Sequence, residues 1–313
     1  MDCGAFDSGF CIHPDGKVSP CCLFEKSLFK DIDNINMQDP WADVKDGSGC
    51  AACIHPGPTY KSNFDKFKNS TYSIRHLDIR NNNLCSLECS ICNSYYSSSW
   101  ADRLGETKFV STDFDVDVSN VEHIYFAGGE PLINPKHWQV LDSIPNPSTV
   151  TLQYNSNLTS IKNIEKYWTR FKNVSVNASM DAIGKLGEQL RYGTDWDKWT
   201  NNLDTAAKYA EVKVNPTISV LNIFNLKEIE LWSKYPVVYN VLTDPQHLCV
   251  SVLPNELKQS IEYIPNNGHL KSLLNTDDSW LFPHTMSFIL LQDKLKMNLS
   301  YNIYSLCYVE IKS

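Results

Sequence analysis

From about residue 71 onward, short apolar runs recur between longer segments that can wind into helices. "SIRHLDIR" (73–80), "HIYFAG" (123–128), "TVTLQYN" (149–155), "VSVNASM" (174–180), "VKVNPTISVLN" (212–222) and "VVYNVLT" (237–243) read as six strands. Helices are expected over 93–104, from near Pro135, over 160–170, from the end of the fourth strand through about 210, and over 225–234. Strands alternating with helices predict an α/β fold with a parallel sheet, open or closed into a barrel. Chemistry in such folds gathers at the C-terminal ends of the strands.

The flanks differ. Residues 1–70 are rich in Gly, Pro, Asp and paired Cys with little periodicity, so whatever the cysteines bind is expected to hold them together. "HPGPTYKSN" (55–63) reads as a linker. Residues 254–313 read as mostly helical, starting at "PNELKQSIEYI". The expected division is a cysteine-rich segment and linker at 1–70, a core at 71–250 and a helical extension at 251–313.

Composition narrows the function classes. With 313 residues, 42% of them hydrophobic and 12% aromatic, the chain can bury a sizeable core. A net charge of −8 argues against a non-specific grip on nucleic acid. The N-terminus has no basic segment followed by an apolar one, and runs such as "FILL" (288–291) fall far short of a membrane span. A soluble cytoplasmic protein is expected, and in the cytosol 11 cysteines argue for metal sites over disulfides.

Cys85, Cys89 and Cys92 stand in "CSLECSIC", immediately after the first strand. Three thiols on a strand-to-helix loop can bind zinc or an iron–sulfur cluster. Zinc sites more often bring two thiol pairs, whereas three ligands leave one coordination position open. One βα unit later, Gly128-Gly129-Glu130-Pro131 closes the second strand in "YFAGGEPLINP". Glycines let a ligand approach the backbone, and a carboxylate accepts hydrogen bonds from an ammonium.

Together these motifs resemble the radical S-adenosylmethionine (radical SAM) family. The resemblance implies a partial (β/α)6 barrel of the TIM type. It also implies a [4Fe–4S] cluster on Cys85, Cys89 and Cys92 whose open iron is chelated by SAM. Reductive cleavage of SAM would then yield a 5′-deoxyadenosyl radical that abstracts hydrogen from a substrate. Gly128, Gly129, Glu130 and Pro131 would hold the SAM amino group, and Arg191 its carboxylate. Ile91 would press on the purine, and Leu221 and Asn222 would lie near it. Ser179 and Asp181 would contact ribose and methionine, and Asn155 would lie near the cofactor. For Ser179, Asn222 and Asn155, ordinary capping or turn bonding is the competing role. Tyr154, Asp181 and Asp244 are positional candidates for a proton acceptor.

Cys3, Gly16, Cys21 and the "CAAC" pair Cys50 and Cys53 resemble the first half of the auxiliary-cluster pattern of SPASM and twitch domains, here ahead of the barrel. The resemblance implies a second [4Fe–4S] cluster on Cys3, Cys21, Cys50 and Cys53. Cys11 or Cys22 could replace Cys3, and His13 and His55 are weaker rivals. A four-thiolate zinc knuckle is the structural alternative. Cys249 and Cys307 read as ordinary buried thiols.

The leading expectation is a radical SAM enzyme that modifies a peptide or protein residue, with the auxiliary cluster accepting an electron and a flavodoxin or ferredoxin as reductant. Dehydrogenation or rearrangement of a small metabolite or nucleotide is the alternative chemistry. A zinc-stabilised binding protein is the non-enzymatic alternative.

Overall fold

A computed structural model describes residues 3–46, 49–50, 64–106 and 114–294. Its strands are β1 (Gly9–Ile12), β2 (Lys17–Ser19), β3 (Lys30–Asp31), β4 (His76–Ile79), β5 (Glu88–Cys89), β6 (His123–Phe126), β7 (Thr151–Ser156), β8 (Asn173–Ala178), β9 (Arg191–Tyr192), β10 (Glu211–Val214), β11 (Thr217–Ile218) and β12 (Asn240–Val241). Eight of them form one sheet in the order β10-β8-β7-β6-β4-β1-β2-β3. The pairs from β10 to β1 are parallel, and β2 and β3 add antiparallel at the N-terminal edge. The fold is therefore mixed α/β with a parallel central sheet.

Alternation along the strands gives this sheet two unlike faces. One register row runs Ile12–Ile79–Phe126–Tyr154–Val176–Val212, and all six residues are buried. The neighbouring row runs Cys11–Asp78–Tyr125–Gln153–Ser175 and points the other way. Val140 and Leu141 of helix Pro135–Ser143, Ile164 and Trp168 of helix Ile164–Trp168, and Trp199 and Leu203 of helix Trp196–Ala206 belong to the same buried core as the apolar row. Burying large apolar side chains contributes on the order of 1.5–3 kcal/mol each, so the apolar face fixes the sheet and leaves the polar face free for chemistry.

The first four core strands fall where the apolar runs place them, but the fifth and sixth differ. The expected strand 212–222 breaks after Val214, ahead of Pro216, which has no N–H to contribute to a ladder. The chain resumes as β11, which pairs in parallel with β12 in a separate two-stranded sheet. Of the expected strand 237–243, only β12 and a single bridge from Val237 to Val214 are formed. The long helical region expected up to about 210 is two helices, Gly184–Leu190 and Trp196–Ala206, with β9 between them.

The cysteine-rich segment joins the core sheet directly: β1 pairs with β4 along all four of its residues, and Phe10 and Ile12 lie on the buried face. The expected linker at 55–63 lies outside the described residues. At the other end, helices Asn255–Gln259, Gly268–Leu274 and Phe282–Lys294 are formed. Among the described residues no helix is long and apolar enough to cross a membrane.

Candidate active site

The loop after β4 is braced by a serine run. Helix Ser98–Leu104 starts later than the pattern suggests, capped by Ser97, whose side chain accepts from Trp100 N. Ser97 Oγ also donates to Leu87 O, at 2.7 Å. Ser98 Oγ meets both the N–H and the carbonyl of Cys85, at 3.1 and 3.2 Å, and Ser99 Oγ donates to the same carbonyl at 2.8 Å. Trp100 Nε1 donates to Cys89 O at 3.0 Å. The backbone carrying the thiols is thus held by side chains of the helix that follows.

Cys85, Cys89 and Cys92 line one cleft of about 330 Å³, together with Ile91, Gly128, Gly129, Asn155, Ser179 and Arg191. These nine residues come from the segment after β4 that includes β5, from the loops after β6 and β8, and from β7 and β9, so the strand ends bring together what the sequence scatters over a hundred positions. Burial pushes all three thiols up from their ordinary range, Cys92 to about 11. Asn157 Nδ2 approaches Cys85 Sγ at 3.7 Å. Gly129 packs against the thiol loop so closely that a Cβ there would stand 2.2 Å from Leu84 O. Gly128 has φ +94°, a conformation that glycine adopts freely.

Arg191 enters from β9, in register with Cys89 on β5. Its Nη1 donates to Asp181 Oδ2 at 2.9 Å, while its buried Nε has no hydrogen-bond partner among the described residues. Asp181 lies behind the cleft wall: Oδ1 accepts from Thr217 N at 2.9 Å, and its carbonyl accepts from Asn222 Nδ2 at 2.8 Å. Asn222 also binds Thr217 O and Ser219 N, which clamps the chain around β11. Leu221 is buried beside it.

Asp181, Leu221 and Asn222 thus stand apart from the cleft lining, and so do three more expected residues, Tyr154, Glu130 and Pro131. Tyr154 is fully buried on the apolar face, stacked on Phe126 with ring centroids 5.1 Å apart and hydrogen-bonded through its hydroxyl to His137 Nε2 at 2.8 Å. Strand parity decides this, since Asn155 next to it faces the cleft. Glu130 is buried with its carboxylate engaged: Oε1 accepts from Leu132 N and Ser156 Oγ, and Oε2 from Asn157 N at 2.6 Å. Burial pushes its pKa up against the pull of these donors. Pro131, next to it, opens a buried 3-10 turn.

Of the N-terminal thiols, Cys21 and Cys50 are buried in the hydrophobic core and Cys3 packs against it. Cys53 lies outside the described residues. Cys11 is buried on β1 opposite Asp78, and Cys22 is half-buried. His13 stacks on Phe29 at 3.9 Å and binds Ser19 Oγ at 2.8 Å, and burial lowers it to about 4. Cys249 is buried with its thiol 3.6 Å from Pro245 O. Among the described residues no three His, Cys, Asp or Glu side chains gather around a single-ion position.

The cleft has further lining residues that sequence reasoning missed, among them Arg80, Tyr96 and Asn157. Arg80 stands at the C-terminal end of the first core strand, so the strand-end rule alone could have found it.

No family model and no curated protein matches the chain. Among solved structures it is similar to native anSMEcpe with bound AdoMet, at 16% identity and a TM-score of 0.41, covering 55% of this chain and 52% of that one. The same protein with bound AdoMet and Cp18Cys peptide matches at 14% identity and a TM-score of 0.40, with 55% and 52% covered. SuiB of Streptococcus suis bound to precursor peptide SuiA matches at 16% identity and a TM-score of 0.36, with 53% and 38% covered. The chain thus spans about half the length of the first of these structures.

Proposed function

We propose that this chain is a radical SAM enzyme acting on a residue of a peptide or protein. One observation carries the reading: three thiols, a Gly-Gly turn and a guanidinium whose buried Nε has no hydrogen-bond partner among the described residues line a single cleft at the ends of parallel strands. The donor set fits a [4Fe–4S] cluster. A cluster spreads three thiolates over three separate irons, so the cysteines need not converge on one point, as single-ion zinc requires.

Cys85, Cys89 and Cys92 would hold the cluster, and its fourth iron would be left to SAM. When bound, the cluster supplies the electron for reductive cleavage of SAM to a 5′-deoxyadenosyl radical. The chain's own contribution is placement. Arg191, oriented by Asp181, offers its free Nε to the SAM carboxylate. Gly128 and Gly129 let the turn after β6 pack against the backbone of the thiol loop, which keeps the two cleft walls together where the SAM amino group would lie. Asn157 supplies an N–H toward the Cys85 sulfur, and hydrogen bonding to sulfur is one means of tuning cluster potential. Ile91 and Ser179 complete the cofactor wall. Cys3, Cys21, Cys50 and Cys53 are the ligands we assign to an auxiliary cluster.

Anaerobic reconstitution with iron and sulfide tests this. A brown protein with about eight irons per chain is expected if both sites fill, falling by about four when Cys85, Cys89 and Cys92 are replaced by Ala. Dithionite and SAM should release 5′-deoxyadenosine from the parent protein alone. A colourless protein that binds zinc and ignores SAM would overturn the reading.

A further inference from the structure

Two guanidinium groups reach the cleft, and the reading above gives a task to only one. Arg80 emerges at the C-terminal end of β4 on the polar face of the sheet. Its Nε donates to Asp78 Oδ1 at 2.9 Å and its Nη2 to Asp78 Oδ2 at 3.1 Å, a side-on pair that uses two of its five donors. The Tyr125 ring supports the guanidinium from the neighbouring strand, with the carbon of the group 5.4 Å from the ring centroid. The partners are unequally exposed: the Asp78 side chain keeps 3% of its surface in solvent and Arg80 21%. Asp78 is therefore a buried brace, and the open edge of Arg80 is what the cleft sees.

A buried ion pair of this kind is weak evidence for stability, because desolvation opposes the Coulomb gain. It does fix a planar fork in one orientation, which suits bidentate recognition of an oxyanion. Each guanidinium already has its own carboxylate, Asp78 or Asp181, so what Arg80 offers the cleft is its remaining directional donors rather than net charge.

We propose that Arg80 is a substrate-binding residue that receives an oxyanion, a carboxylate or a phosphate, of the molecule on which the enzyme acts. The proposal rests on the reading of the cleft above for its claim that this anion belongs to a substrate. The residues around Arg80 carry the anion site itself. Asp78 and Tyr125 act as positioning residues for Arg80.

The test is calorimetric titration of the purified full chain with inorganic phosphate and, separately, with acetate, at low ionic strength. Saturable binding of at least one anion is expected. Because Arg80→Gln alone would strand a buried Asp78, the decisive variant is Asp78→Asn/Arg80→Gln, which should weaken binding at least tenfold. Asp181→Asn/Arg191→Gln lacks the guanidinium assigned to the SAM carboxylate, so the anion binding it keeps belongs to Arg80, and it should keep at least one saturable site. Binding of phosphate alone assigns a phosphorylated substrate, and binding of acetate assigns a carboxylate. No binding of either anion, unchanged binding in the first variant, or loss in the second would overturn the proposal. SAM binding by the unaltered chain is measured separately. Its failure would sink the radical SAM reading and leave the anion result standing.

Discussion

Cys89 and Arg191 are register partners in a two-residue antiparallel ladder, so a thiol of the candidate cluster loop and the guanidinium of the candidate SAM site share one piece of backbone pairing. Asp181 completes the arrangement through its 2.9 Å contact with Arg191. Replacing Arg191 by Gln should lower SAM affinity about 10–100-fold, the equivalent of roughly 1.5–3 kcal/mol for a charged hydrogen bond. It should also destabilise the fold by about 3–5 kcal/mol, because Asp181 stays buried without its partner. Equilibrium dialysis with labelled SAM and urea unfolding measure the two effects. Asp181→Asn/Arg191→Gln should unfold later in urea than Arg191→Gln alone.

Gly129 and Gly268 separate a close approach from an ordinary glycine. A Cβ on Gly129 would lie 2.2 Å from Leu84 O and 2.7 Å from Asn83 C, backbone atoms that move only with the thiol loop. Gly129→Ala should cost more than 2 kcal/mol, as overpacking of a rigid site does, and should reduce iron uptake on reconstitution. Nothing lies within 4 Å of a Cβ on Gly268, so Gly268→Ala should stay within about 0.5 kcal/mol of the parent. Equal midpoints for the two variants in urea would contradict the packing argument.

Glu130 ties the loop after β6 to the end of β7 through Ser156 and Asn157. Glu130→Gln keeps one acceptor oxygen but turns an NH2 group toward a backbone or hydroxyl donor. A loss of about 1–3 kcal/mol is expected, the cost of leaving a buried donor unmatched. Glu130→Asp should also fail to restore stability, because the shorter side chain cannot span both loops. A denaturant series across the three proteins checks this.

Three buried histidines set the acid limit. Burial holds His13 at about 4 and His76 and His137 at about 3, against an ordinary value of 6.5. Between those limits the unfolded chain binds more protons than the folded one. Stability is therefore complete above about pH 6.5 and falls as pH drops toward the folded values, by about 1.4 kcal/mol per pH unit for each histidine. His137→Gln should shrink the difference in unfolding free energy between pH 6 and pH 5 by about that amount.

Much of the fold is legible because apolar runs fix where strands lie, and strand ends fix where loops meet. The thiol loop and the Gly-Gly turn were readable as neighbours for that reason, and they line one cleft. Parity was harder. Tyr154 and Asn155 are adjacent in sequence, and only the register of β7 with β6 and β8 puts the ring in the core and the amide in the cleft. Asp181 and Asn222 illustrate a second obstacle, since their bonds run to Arg191, Thr217 and each other, partners that folding alone brings together. Arg80 was masked by its own strand, where it reads as the last polar residue of an alternating pattern.

The serine clasp on the Cys85 backbone makes the thiol loop and the helix after it one mechanical unit. Hydrogen bonds from Ser97, Ser98, Ser99 and Trp100 reach the carbonyls of Leu87, Cys85 and Cys89, so a change in the first turn of that helix is transmitted to the backbone beside two of the three thiols.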